Sequence, residues 1–175
     1  MNAYNLAGWR FETPNSIRWY VLAEAHGSYQ MNDFLDECSV DACISWSTAH
    51  HRIDFSRVGT CSEAQIDIKY GYNAAALGGE YTNRAGVAYT TLVYKNGKNY
   101  VARSKIVVNN SFFLDSYNTL SGDGQAVTAH EIGHALGLKH TDNNKQLMFE
   151  TIAPLSASVS TPQSDDIDGV KAIYP

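Results

Sequence analysis

The sequence has no basic cluster, no long apolar run and only three cysteines. Across 175 residues, 13 Lys and Arg stand against 18 Asp and Glu, for a net charge of −5. Without a basic patch, neither nucleic acid nor an anionic membrane is expected as the main partner. Apolar runs such as Ile106–Val108 last a few residues, far short of the ~20 that span a bilayer. The opening residues, Met1 to Leu6, carry neither the charge nor the apolar stretch of a signal peptide. The chain is therefore expected to be either cytosolic or the processed form of an exported protein. Scarce Lys and plentiful Asn, Ser and Tyr favour the exported form.

The cysteines are Cys38, Cys43 and Cys61, an odd number, so at least one thiol is free or pairs between chains. On one helix, Cys38 and Cys43 would have Cα atoms more than ~7 Å apart, too far to bridge. A disulfide, if formed, would use Cys61; simple burial of small side chains explains the three equally well. What the chain does have is core. Hydrophobic residues make up 44% and charged residues 18%, enough to fold a chain of this size as one domain and to exclude intrinsic disorder.

Hydrophobic periodicity gives the order of elements. Ser16–Leu22 alternates and is rich in aromatic and β-branched residues, so it reads as a strand. Asn32 or Asp33 is positioned to cap a helix reaching about Ala49, with Leu35, Cys38, Ala42 and Trp46 on one apolar face. Ala64–Tyr70, Val87–Tyr94 and Ser104–Asn109 read as further strands. Asn96-Gly97 supplies a tight hairpin turn between the last two. Residues 71–86 read as a loop. A helix is predicted from about Gln125 to Gly137, and another over Ser164–Ile173, capped by Thr161 or Ser164 with acids in its first turn. No repeat or low-complexity linker interrupts the chain. The order is that of a single α/β domain.

Residues 130–140 decide the chemistry. His130 and His134 are four apart, so on a helix they project from one face, one turn apart. Two imidazoles so placed can both reach a zinc ion at ~2.0–2.1 Å. Glu131 is rotated about 100° from His130, near enough to act on water without being a ligand. Gly137 can take the left-handed conformation that ends a helix. The chain can then turn back and offer His140 as a third ligand. Three protein ligands leave the fourth position open, the arrangement of a catalytic zinc. A lone His-x-x-x-His is usually helix surface; here five fixed positions fall in order.

The pattern His-Glu-x-x-His-x-x-Gly-x-x-His resembles the metzincin metalloproteases. Met148, eight residues past His140, then matches that family's Met-turn. Within the metzincins the chain resembles the matrixin group, the matrix metalloproteinases and their bacterial relatives. The likeness is carried by Ile53–Val58, Glu63–Ile68, Ile106–Asn109, the zinc helix with Leu147-Met148, and Ser164–Val170. The resemblance implies an α/β (α+β) catalytic domain over 1–175. It would have a twisted, mostly parallel sheet with an antiparallel edge strand, a long zinc-binding helix, a Met-turn and a C-terminal helix. An N-terminal subdomain would cover about 1–140 and a C-terminal one about 141–175. It further implies a secreted, monomeric endopeptidase with one catalytic zinc, acting on extended protein or peptide substrates with Glu131 as general base. Val87, Ala88 and Tyr89 would line the substrate as an edge strand. Val127 and Ile152 would face its side-chain pocket. One carboxylate of Asp165 and Asp166 would bond the Met-turn, while the other could meet an N-terminal amine.

The departures from the group also carry expectations. No histidine occurs between residues 66 and 129, and Tyr89 sits where a ligand of the structural zinc would be, so that second ion is expected to be absent. The calcium loop is not recognisable, so calcium is unsupported. His26, His50 and His51 lie at no metal spacing and are expected at the surface. Glu150 stands where astacins and serralysins carry a tyrosine ligand. Glu150-Thr151-Ile152 replaces the Pro-x-Tyr wall of many matrixins. No cysteine-switch propeptide is in this chain. A metzincin-like module that binds zinc without protease activity, and a metalloenzyme acting on a non-peptide amide, are the competing readings.

Overall fold

A computed structural model describes residues 4–22, 29–71, 84–109, 124–150 and 159–175. In chain order the elements are β1 (Asn5–Leu6), β2 (Trp9–Arg10), β3 (Ile17–Leu22), α1 (Tyr29–Ala49), β4 (Phe55–Arg57), β5 (Ile66–Gly71), β6 (Gly86–Lys95), β7 (Lys98–Asn109), α2 (Gly124–Leu136), β8 (Leu138–Lys139) and α3 (Ser164–Ile173). Residues 72–83 of the predicted loop, His26 and Ile152 lie outside the described residues, while Gly71 ends β5 and Gly86 begins β6.

Six strands form one sheet. β4, β3, β5 and β7 run parallel in that order, and β2 joins the start of β7 in parallel. β6 returns antiparallel along the other side of β7 and forms the sheet's edge. Asn96 (φ 52°) and Gly97 (φ 75°) make the turn between them, two positive φ values that suit Asn-Gly. The mostly parallel sheet with one antiparallel edge agrees with the sequence reading. β7, however, starts at Lys98, six residues before the predicted Ser104. Its first half is mostly exposed or half-buried and lacks the apolar run that marks the second half.

Cross-strand rows show which face is core. Val21, Ile68, Ile106 and Ala88 are successive partners across four strands, and Ile68 and Ile106 are fully buried. Helices α1 and α2 pack together over the sheet. The predicted stripe of α1 is the buried one: Leu35, Cys38, Ala42 and Trp46. Fully burying a large apolar side chain contributes roughly 1.5–3 kcal/mol. Trp46 adds a hydrogen bond from Nε1 to the Ala129 carbonyl, 2.9 Å, which fixes α1 against α2. The helix begins at Tyr29, before the expected Asn32 or Asp33 cap, so neither residue acts as its cap. All three cysteines are free; Cys38 and Cys43 are buried, and Cys61 lies beside Arg103 and Asp67.

Two expectations are corrected here. His50 is buried, not at the surface: its Nε2–H donates to the Tyr174 carbonyl at 2.7 Å. The fold brings the C-terminus across the end of α1 and covers it. His51 is exposed as expected. The cap of α3 is Gln163 rather than Thr161 or Ser164. Asp166 reaches back to accept the Gln163 N–H at 2.9 Å and closes a capping box.

Tyr174 ties the two ends of the chain to α2. Its buried hydroxyl donates to the Leu136 carbonyl (2.9 Å) and accepts the Phe11 N–H (3.1 Å). Burial pushes its phenol pKa up, so the donating form persists. Tyr174→Phe leaves both backbone groups without their partner, and a stability loss of about 1–3 kcal/mol is expected in urea melts. An unchanged midpoint would show the hydroxyl to be dispensable.

Candidate metal centre and cleft

Helix α2 is buried along almost its whole length. His130 and His134 stand one turn apart on it, with ring centroids 4.8 Å apart. The helix stops at Gly137, whose φ is +108°. A Cβ there would fall 2.4 Å from the Trp9 carbonyl oxygen, so only glycine fits on both counts. The chain reverses through β8 and delivers His140. The three histidines each bring one ring nitrogen to a common point, all within 4.8 Å of one another.

The donor chemistry suits a divalent ion. His130 Nδ1 lies 2.7 Å from the Leu147 carbonyl and His134 Nδ1 lies 2.9 Å from the Leu138 carbonyl. A carbonyl can only accept, so both Nδ1 atoms carry hydrogen and both Nε2 lone pairs are free. Burial lowers the pKa of His130 to about 3 and of His134 to about 4, and also lowers that of His140. The rings are therefore neutral at pH 7, as ligands must be. The Nε2 atoms of His134 and His140 are 3.1 Å apart. Two nitrogens bound tetrahedrally to one zinc lie about 3.3–3.4 Å apart, so this pair is within a few tenths of an ångström of the spacing an ion requires.

Glu131 is buried beside this cluster, and one carboxylate oxygen, Oε2, has no hydrogen-bond partner among the described residues. Desolvation raises its pKa to about 8, opposed by the charge of Arg84 and a hydrogen bond from the Ala88 backbone. Gly86 makes this approach possible: a Cβ there would sit 2.9 Å from Glu131 Cγ and Val127 Cγ1. Val87, Ala88 and Thr90 of the β6 edge line the cleft with Glu131 and the histidines. Tyr89 is 40% exposed and is not among the residues that line the cleft. Val127 is fully buried beneath Gly86. Sequence reasoning missed Trp9, Arg84 and Gly86 as cleft residues. Gly86 alone left a signal, since glycine at a strand position often marks close approach.

Below the histidines, the Met148 sulfur fills the space a side chain at Gly133 would need, 2.4 Å from such a Cβ, against Trp46. Leu147 therefore has a double task. Its carbonyl holds His130, and its N–H donates to Asp166 Oδ2 at 2.8 Å. The Met148 N–H donates to Asp166 Oδ1 at 3.2 Å. Burial raises the Asp166 pKa, and the three donated backbone hydrogen bonds oppose that shift. Asp165 is half-buried and bonds Asn143 Nδ2 at 2.9 Å. Its expected meeting with an N-terminal amine lies outside the described residues.

The mostly parallel sheet, the long helix bearing two histidines and the third histidine after the turn define a metzincin-like fold. The sequence profile of one family, Matrixin, matches residues 9–175. Matrix metalloproteinase-27 of Tupaia belangeri is 48% identical over 48 residues, 27% of this chain and 9% of its own. Metalloendoproteinase 4-MMP of Arabidopsis thaliana is 31% identical over 110 residues, 62% of this chain and 31% of its own. Stromelysin-2 of Rattus norvegicus is 27% identical over 172 residues, 92% of this chain and 34% of its own. The chain belongs to the matrixin family and has the character of a matrix metalloproteinase catalytic domain. It spans about a third or less of the length of these relatives.

Asp166→Ala removes the acceptor of three backbone donors, two of them in the turn that holds His130. We expect it to cost about 1–3 kcal/mol in urea melts and to weaken metal retention. Asp165→Ala, at a partly exposed position, should cost less than half as much. Equal small losses would leave only a helix-end charge effect for both.

Proposed function

We propose that this chain is a zinc-dependent endopeptidase acting on extended protein or peptide substrates. The observation that carries the reading is the unpartnered, buried Glu131 Oε2 next to three converging neutral histidines in an open cleft. A purely structural zinc site closes with four protein ligands and has no use for a base beside it. His130, His134 and His140 would hold the ion, with Met148 packed beneath. When bound, zinc supplies Lewis-acid activation of water and of a carbonyl oxygen.

The chain's own residues supply the rest. A cation in the pocket favours the carboxylate form of Glu131. Glu131 Oε2 takes one proton from the attacking water, whose oxygen bonds to the scissile carbonyl carbon. The same carboxyl later gives that proton to the leaving amine nitrogen as the C–N bond breaks. Ala88 holds the other side of the carboxylate through its N–H. The substrate would lie as an added strand along the outer edge of β6, held by backbone groups of Val87 to Thr90. Ile152 would contribute to the pocket wall. We assign the domain a boundary near residue 140 between sheet-bearing and Met-turn subdomains, a monomeric state, one zinc ion and a secreted location.

Glu131→Gln should keep one zinc per chain by elemental analysis while casein cleavage falls by about 10²–10⁴-fold. A chelator should abolish the wild-type activity. Loss of zinc in the variant would move Glu131 into the ligand set. A wild-type chain that holds zinc but cleaves nothing would favour the binding-module reading.

A further inference from the structure

The three histidines are not held alike. His130 and His134 each donate Nδ1–H to a carbonyl within 2.9 Å. Among the described residues His140 has no such bond: its Nδ1 is 4.0 Å from an exposed Glu150 carboxylate, and its ring is only partly buried. Metal-bound histidines are normally aimed by a partner on the second ring nitrogen. His140 must be aimed by its backbone instead.

That backbone is gripped from the far end of the chain. Residues of the N-terminal segment reach three consecutive points of the reversal. Trp9 Nε1–H donates to the His134 carbonyl at 3.2 Å. The Ala7 N–H donates to the Gly137 carbonyl at 2.8 Å. Asn5 Nδ2–H donates to the His140 carbonyl at 2.8 Å. Between these, β1 pairs antiparallel with β8, Asn5 opposite Lys139 and Leu6 opposite Leu138. β1 is the only strand partner of β8 among the described residues. On the other side, the Thr141 N–H bonds the Met148 carbonyl at 2.9 Å. His140 thus sits between two backbone anchors, and the one on its N-terminal side is residues 5–9.

We propose that the N-terminal segment Asn5–Trp9 is the positioning element for the third metal ligand, with Asn5 and Trp9 as its side-chain contacts. The two residues touch neither the ion nor the reacting atoms; they set the carbonyls of His140 and His134 and so the direction of the His140 ring. The proposal rests on the metal reading above. It makes metal affinity depend on a segment more than 120 residues away in sequence, from Trp9 at one end to His134 at the other.

The test measures zinc affinity by competition with a chelating dye in the full chain, for Asn5→Ala and for Trp9→Phe, which keeps an aromatic ring but removes the donor. Each should raise the zinc Kd about 10-fold, at the low end of what loss of an outer partner does to a metal site, and the double variant should raise it further. The urea midpoint of the metal-free chain should move little, and the visible bands of the Co2+-loaded chain should shift as the third imidazole relaxes. Unchanged affinities would overturn the proposal. So would affinity lost only in step with unfolding of the metal-free chain. If wild type itself bound no zinc, the metal assignment would fall with it, a result distinct from binding that Asn5 and Trp9 do not influence.

Discussion

The site depends on one backbone constraint, the reversal of the chain directly after His134. Gly137 takes φ +108° with the Trp9 carbonyl where a Cβ would be. Any side chain would meet both the left-handed strain and a rigid backbone atom. A helix that continued past this point would carry His140 away, because residues six apart on a helix do not share a face with i and i+4. The third nitrogen reaches the other two only because the helix ends here. The same glycine lets the N-terminal strand lie against the turn.

Around this reversal the protein satisfies buried polar groups with backbone partners. Burying neutral imidazoles, a carboxyl and an aspartate is unfavourable unless each is hydrogen-bonded. Leu147, Leu138 and Ala88 supply backbone partners to His130, His134 and Glu131. Asp166 in turn satisfies the N–H groups of Leu147 and Met148. Among the described residues Glu131 Oε2 is left without a partner. An unpartnered buried oxygen is costly in a resting protein.

Sequence patterns reported the parts that local physics controls. The apolar stripe of α1, the Asn-Gly hairpin and the extent of α3 all follow from spacing and turn preference, and all three are present. The motif at 130–140 was legible because helical period and a glycine stop act within eleven residues. The start of α1 was not legible. Asn32 and Asp33 resemble a cap but lie inside the helix, and Ser28, a residue type that also favours that position, stands directly before Tyr29 in the sequence. The burial of His50 could not be read either, since its partner is Tyr174, 124 residues away.

By itself, then, the sequence determined the residue types that can bind a metal and move a proton, their order, and the elements that carry them. Those depend on contacts a few residues apart, where period and backbone preference dominate. Tertiary structure alone decided which groups surround them. Gly86 gives Glu131 its room, Arg84 opposes its protonation, Trp9 and Asn5 grip the carbonyls of two histidines, and Asp166 holds the turn beneath. Each of these acts across 19 or more residues of chain. Nothing in local spacing encodes such a distance; it is fixed only when the sheet, the helices and both ends of the chain pack into one core.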